Sequence, residues 1–173
     1  EEALQGASDI IAEMISDDAE LRKRLRYVAF MNGQLTSKAA EEDVGVYETY
    51  ADYSERTDKI AGHRVLAVNR GEKEGKLKVS LAFDRAKAMN IVFSCHVKEG
   101  SLSTDTVIAA ANDAYDRLIF PSIEREIRNT LTDTACESAM KVFSVNLRNL
   151  LMQPPVKGKV ALGLDPGYRN GCK

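Results

Sequence analysis

The sequence predicts a mainly α protein, a multi-helix array with a small β element, and three observations carry that reading. Apolar residues recur at helical spacing, most regularly at Cys136, Met140, Phe143, Leu147 and Leu150, where steps of four and three alternate. One run, Leu77, Val79 and Leu81 with Lys78 and Ser80 between them, alternates at period two and reads as a strand. Aromatic residues make up 6% of the chain and Trp is absent, which suits helices better than a sandwich or barrel.

Taken in order, Leu4, Ala7, Ile11, Met14 and Ile15 form one stripe of a helix over 3–15. Asp17 followed by Glu20 resembles a cap, in which a carboxylate accepts from early amides. It opens a helix over 18–31 with Leu21, Leu25, Val28 and Ala29 inward, closed by Asn32-Gly33. Residues 33–46 read as a loop holding a short extended piece at Gln34-Leu35-Thr36-Ser37. Tyr47, Tyr50 and Tyr53 fall at i, i+3 and i+6, either one face of a short helix or a base-stacking platform. Ser54 caps a turn leading to Ile60, and residues 63–69 form a helix before the charged, glycine-bounded segment 70–75.

Ile91-Val92-Phe93 reads as a second strand or as part of a helix. From Thr104 on, Val107, Ala111, Ala114 and Leu118 mark one helix face. Pro121 disfavours helix at Phe120 and is tolerated in the first turn of a new helix carrying Ile123, Ile127 and Leu131. Thr134 and Glu137 make a capping box that opens a last long amphipathic helix, ended by Gln153-Pro154-Pro155. Val160-Ala161-Leu162-Gly163-Leu164 then reads as a buried strand ending in Asp165 and a turn, which puts a domain boundary near residue 157.

At 173 residues the chain has the size of one ordinary domain and can bury a real core. Hydrophobic residues at 44% and charged residues at 29% place it outside the disordered class. A formal net charge of -2 gives no basic footprint, so a nucleic-acid site would have to be a local patch. Cys95, Cys136 and Cys172 are far apart and odd in number, which fits free thiols in a reducing, cytoplasmic setting. No apolar run approaches the roughly 18–20 residues of a membrane span. The chain opens on Glu1-Glu2-Ala3 and closes on Gly171-Cys172-Lys173, and both ends read as cut.

Four segments together resemble the Tex family of bacterial transcription accessory proteins. They are His63-Arg64-Val65-Leu66-Ala67 with Arg70-Gly71-Glu72-Lys73-Glu74-Gly75-Lys76-Leu77; Pro121-Ser122-Ile123-Glu124-Arg125-Glu126; Val142 through Asn149-Leu150-Leu151 with Pro154-Pro155; and Leu162-Gly163-Leu164-Asp165-Pro166-Gly167-Tyr168-Arg169-Asn170-Gly171-Cys172-Lys173. The resemblance implies an N-terminal helical region with a helix-turn-helix-like part over 1–156. It implies the first strand of a truncated YqgF domain, of ribonuclease H-like α/β fold, over 157–173. Helix-hairpin-helix and OB-fold domains would follow. The implied function is a helical scaffold fragment of a nucleic-acid-binding protein that modulates transcription, with RNA and DNA as partners of the full-length protein. The alternatives are a protein-interaction module contacting the transcription machinery and an incomplete part of a metal-dependent nuclease. No membrane, small-molecule substrate, cofactor or metal is expected for the fragment, and no enzyme activity.

Asp165 is the sharpest chemical candidate, resembling the first carboxylate of a ribonuclease H-like nuclease; one carboxylate cannot hold a catalytic pair of hard cations. Arg22, Lys23, Arg24 and Arg26 form a basic helical run, read either as a phosphate-binding patch or as a solvated face balanced by Asp17, Asp18 and Glu20. Arg64, Arg70 and Lys73, with His63 and Lys76, form a second basic set, read as phosphate-binding or as an ion-pair network with Glu72 and Glu74. Cys95-His96 fits no zinc spacing, and no glycine-rich phosphate loop is present.

Overall fold

The computed structural model describes residues 2–98, 100–154, 157–167 and 171–172. Its elements are α1 (Glu2–Ser16), α2 (Ala19–Asn32), β1 (Gln34–Ala39), a 3-10 turn (Gly45–Tyr50), β2 (Asp52–Arg56), α3 (Gly62–Lys73), β3 (Leu77–Ala82), α4 (Arg85–His96), α5 (Thr104–Asp113), a π-helical segment (Ala114–Ile119), α6 (Phe120–Leu151), β4 (Pro166–Gly167) and β5 (Gly171–Cys172). The mainly helical expectation holds, with a three-stranded antiparallel sheet of order β2-β1-β3 beside the helices. The chain divides into two compact units, Glu1–Met140 and Lys141–Lys173.

The core of the first unit lies where α1 packs on α5 and the π segment, α2 on α4, and α4 on α5. Ala12, Ile15, Leu21, Leu25, Ala29, Val92, Ala111, Ile119, Ile123 and Ile127 fill it. The α1 stripe is rotated from the expected one: Ala12, Ile15 and Ser16 are buried, while Leu4 and Met14 are exposed. A smaller cluster, Val44, Tyr47 and Leu77, sits under the 3-10 turn.

The cap of α2 lies one residue later than the sequence suggests. Asp18, at extended φ and ψ, accepts from the amides of Glu20 and Leu21, both at 3.0 Å. The Leu21 amide, then the Glu20 amide and the His96 side chain, hold the Asp18 carboxyl below its ordinary value of 3.8. A depressed folded value means the cap is fully present above pH 3.8 and is lost as pH falls through the lower, folded value. Asp18→Ala is expected to cost about 1 kcal/mol. Urea melts at falling pH should show the gap between wild type and variant closing only below the ordinary carboxylate range.

β1 extends the short piece expected at 34–37 to Ala39 within the expected loop, and β2 follows beyond that loop. Leu35 and Ser37 alternate inward on β1, and the Ser37 hydroxyl donates to the Tyr50 carbonyl. β2 pairs along β1 from Arg56 opposite Gln34 to Asp52 opposite Lys38, so Ser54 lies in a strand and not at a cap. Tyr47 and Tyr50 share the 3-10 turn, whereas Tyr53 stands on β2, its ring edge-on to Tyr50 at 5.2 Å. Tyr47 is buried, which removes the three-tyrosine stacking platform.

α3 runs on through the charged segment to Lys73 because Gly71 fits where a Cβ would meet the Leu77 side chain at 2.5 Å. Gly75, at φ 75°, then turns the chain into β3. Ile91, Val92 and Phe93 are helical, within α4, capped by the Asp84 carboxylate.

Two expected breaks are absent. Helix continues through Phe120, and the wider π turn before it absorbs Pro121: the Phe120 amide donates back to the Tyr115 carbonyl. Thr134 opens no new helix. It lies inside α6, where its hydroxyl donates to the Thr130 carbonyl at 2.9 Å, as Thr130 does to Glu126 and Thr132 to Arg128.

In the second unit the strand expected over 160–165 does not form. Val160, Leu162 and Leu164 are exposed, and the only pairing among the described residues there joins β4 to β5. A single strand has no ladder to complete without neighbours. Pro155, Val156, Tyr168, Arg169, Asn170 and Lys173 of the expected linker and terminal motif lie outside the described residues. Among the described residues no helix is long and apolar enough to cross a membrane.

Candidate functional site

Burial of Leu21, Leu25 and Ala29 fixes the roll of α2 and turns its basic residues outward. Two of them are tied to α6. Arg22 Nη2 donates to Ser122 Oγ at 3.3 Å, and Arg26 Nε donates to Glu126 Oε2 at 2.8 Å. The Arg26–Glu126 pair is about half exposed, so it contributes little, about 0–1 kcal/mol. Among the described residues Lys23 and Arg24 have no ion-pair partner, and both are exposed.

The same face holds a groove that the sequence pattern did not single out. Lys23, Arg26, Tyr27 and Phe30 of α2 and Glu126, Ile127 and Thr130 of α6 surround about 360 Å³. Tyr27 is 66% exposed. Lys23, Tyr27 and Phe30 fall at i, i+4 and i+7, the spacing that would have marked one face.

The second basic set is drawn elsewhere. Arg64 donates to Glu55 at 2.9 Å, and the Tyr53 hydroxyl donates to the same carboxylate. The Tyr53 hydroxyl and then Arg64 hold Glu55 low, while burial and then Glu55 push Tyr53 up to about 12. Lys76 pairs with Glu41 at 2.6 Å, and Glu72 takes a two-pronged bond from Arg128. Arg70 and Lys73 remain exposed without an ion-pair partner among the described residues. Thus the two basic sets stand on different helices and turn to different neighbours, α6 for the first and β2 for Arg64.

Asp165 is exposed and stands outside the regular elements. Among the described residues no group of three His, Cys, Asp or Glu side chains is placed to hold a metal ion. Cys95 is exposed, and His96 Nε2 lies 3.1 Å from Asp18 Oδ2, at ion-pair distance without hydrogen-bond geometry.

Against known proteins, a family model described as Tex central region-like matches residues 1–143. The Bacillus subtilis protein YdcI is 45% identical over 178 residues, covering 100% of this chain and 25% of that protein. Transcriptional accessory protein Tex of Neisseria gonorrhoeae is 33% identical over 184 residues, covering 99% of this chain and 24% of the relative. The human S1 RNA-binding domain-containing protein 1 is 29% identical over 199 residues, covering 97% of this chain and 18% of the relative. The chain spans about a quarter or less of the length of these curated relatives.

Proposed function

This chain belongs to the Tex family, and from that premise we propose that it is a helical scaffold segment of a transcription accessory protein that binds nucleic acid. The observation that carries the scaffold reading is the second half of α6. Met140, Phe143 and Leu150 are each more than 60% exposed along one helical stripe, while the core of the first unit is closed by Ile119, Ile123 and Ile127. An apolar stripe of that kind requires a cover, and the greater length of the relatives supplies candidates. In the full-length protein, residues 157–173 would open the ribonuclease H-like domain, where further strands complete the sheet.

Nucleic acid as the partner is supported by the family and by the name of the human relative, and RNA and DNA both fall within the proposal. The experiment is a salt series of binding to single- and double-stranded DNA and RNA, with this chain and the full-length protein side by side. Much weaker binding by the chain alone is the expected result, and equal affinity refutes the view that the remaining domains carry the binding. Within the α2 set, Lys23 and Arg24 are the cations left to meet phosphate, as Arg70 and Lys73 are in the second set. Lys23→Ala with Arg24→Ala should flatten the salt dependence by about 0.9 for each phosphate no longer neutralised; an unchanged slope dismisses the α2 patch.

A protein-interaction module is the second reading, favoured by the same exposed stripe. Binding of a transcription factor or polymerase by the chain, with no nucleic-acid affinity at low salt, would select it. We propose no catalysis by this chain alone, since Asp165 by itself cannot hold two metal ions. Cleavage of a structured nucleic acid with Mg²⁺ by the purified chain would overturn that. The cytoplasmic setting expected from the free thiols is part of the same proposal.

A further inference from the structure

We infer that the groove between α2 and α6 is a base slot for single-stranded nucleic acid, in which one base stacks on Tyr27 while Lys23 meets the adjoining phosphate. This rests on the nucleic-acid reading above and gives it a place in this chain. Tyr27 takes no part in the core. Leu25 and Ala29 on the same helix are each 1% exposed, yet Tyr27 keeps 66% of its surface open. Phe30 is half-buried, and Ile127 of α6 is buried. With Tyr27 they give the groove of about 360 Å³ its apolar lining.

The polar groups of the groove fit the edge of a base. Arg26 Nε donates to Glu126 Oε2 at 2.8 Å, and that bond leaves the Arg26 Nη1 and Nη2 amino groups and Glu126 Oε1 without a protein partner among the described residues. A donor and an acceptor thus stand side by side in a groove that also holds Tyr27. Each base carries an acceptor next to a donor on its Watson–Crick edge, so the slot tolerates any base. An apolar peptide side chain would cover Phe30 and Ile127 as well as a base does. It would also take water from the Arg26 and Glu126 groups and return no hydrogen bond.

Charge selects the rest of the occupant. The Arg26–Glu126 pair cancels, which leaves Lys23 as the net charge of the lining. Lys23 is exposed without an ion-pair partner among the described residues, and Arg24 follows it in the same state. Glu20, one turn earlier, pairs with neither among the described residues. Lys23 and Tyr27 are four residues apart on α2, with Cβ atoms about 5–6 Å from each other, a span that one nucleotide bridges from base to phosphate. A duplex keeps its bases stacked inside, so only a single strand fills the slot.

The test titrates the isotope-labelled chain at low salt with a short oligouridine, beside a strand of the same length that lacks bases. The expected result is upfield movement of the Tyr27 ring and Ile127 methyl signals with oligouridine only. Tyr27→Ala should weaken oligouridine binding about fivefold or more, the loss of one stacked base, and Tyr27→Phe should bind as wild type. The salt slope of Tyr27→Ala should stay that of wild type, because no phosphate contact is lost, whereas Lys23→Ala should flatten it. Binding that responds to Lys23→Ala, ignores Tyr27→Ala and is equal for the base-free strand overturns the slot and leaves the nucleic-acid reading standing. No response of Tyr27 at millimolar oligouridine also overturns the slot, and the salt series with the full-length protein then decides the wider reading separately. An amphipathic helical peptide that moves Tyr27 and Ile127 when oligouridine does not overturns it in favour of a protein partner.

Discussion

Ile119→Ala is expected to lower the unfolding free energy by about 2–5 kcal/mol. Ile119 is 0% exposed and closes the π segment between buried Tyr115 and buried Ile123. Removing its branched side chain deletes buried apolar atoms and leaves a void that the surrounding helices do not collapse to fill. The π turn is fixed at one end by the Phe120 amide on the Tyr115 carbonyl and at the other by Ala114, also 0% exposed. Ile119→Val, which removes one methyl, should cost about 0.5–1.5 kcal/mol. Urea unfolding should show a lower midpoint at unchanged slope for both. A loss under about 1 kcal/mol for the alanine would mean that the segment repacks, and that the π turn is not a fixed feature of the core.

That segment also marks how far the sequence pattern reaches and where it stops. The apolar positions Ile123, Ile127 and Leu131 were legible, and all three are buried. Helix through Phe120 was not, because the rule for proline assumes that a helix must answer a missing amide by ending. A π turn is another answer, and it leaves no mark in the apolar period. The same holds at Thr134. A capping box is a local pattern, but the hydroxyl has a second acceptor one turn back, and burial of Leu131 and Ala135 keeps the helix running. β1 was legible only as a short extended piece at 34–37, because its inward positions are Leu35 and Ser37, and a serine in the core weakens the alternation that identifies a strand.

The site was legible in residue type and not in partner. Both basic sets stood out in the sequence, but their spacing could not say that Arg26 meets Glu126, one hundred residues away, or that Arg64 meets Glu55. Those pairings decide which cations remain for phosphate. Lys23 and Arg24 remain because α2 turns them away from α6; Arg22 and Arg26 do not.

Gly33→Ala is expected to destabilise the fold by about 1–3 kcal/mol through overpacking. The backbone at Gly33 is ordinary, with φ -73° and ψ 162°, so the cost is one of space and not of torsion. A Cβ there would stand 2.3 Å from the Ala29 carbonyl oxygen, a backbone atom with no rotamer to move. That oxygen already accepts the Gly33 amide at 2.8 Å, which ends α2. The Gly33 carbonyl in turn accepts the Thr57 amide and the Thr57 hydroxyl, each at 3.1 Å. Relieving the clash therefore pulls on α2, on the start of β1 and on the turn leading to α3 together. Gly6 is the control: nothing lies within 4 Å of a Cβ there, and it sits inside α1. Gly6→Ala should stabilise by about 0.5–1 kcal/mol, because alanine loses less backbone freedom in a helix. Thermal melts should thus move in opposite directions for the two glycine-to-alanine changes, and hydrogen exchange at the Thr57 amide should quicken only in the first. Equal, small shifts would mean that α2 and the sheet are not joined through Gly33, and that the sheet can shift on the helices without loss.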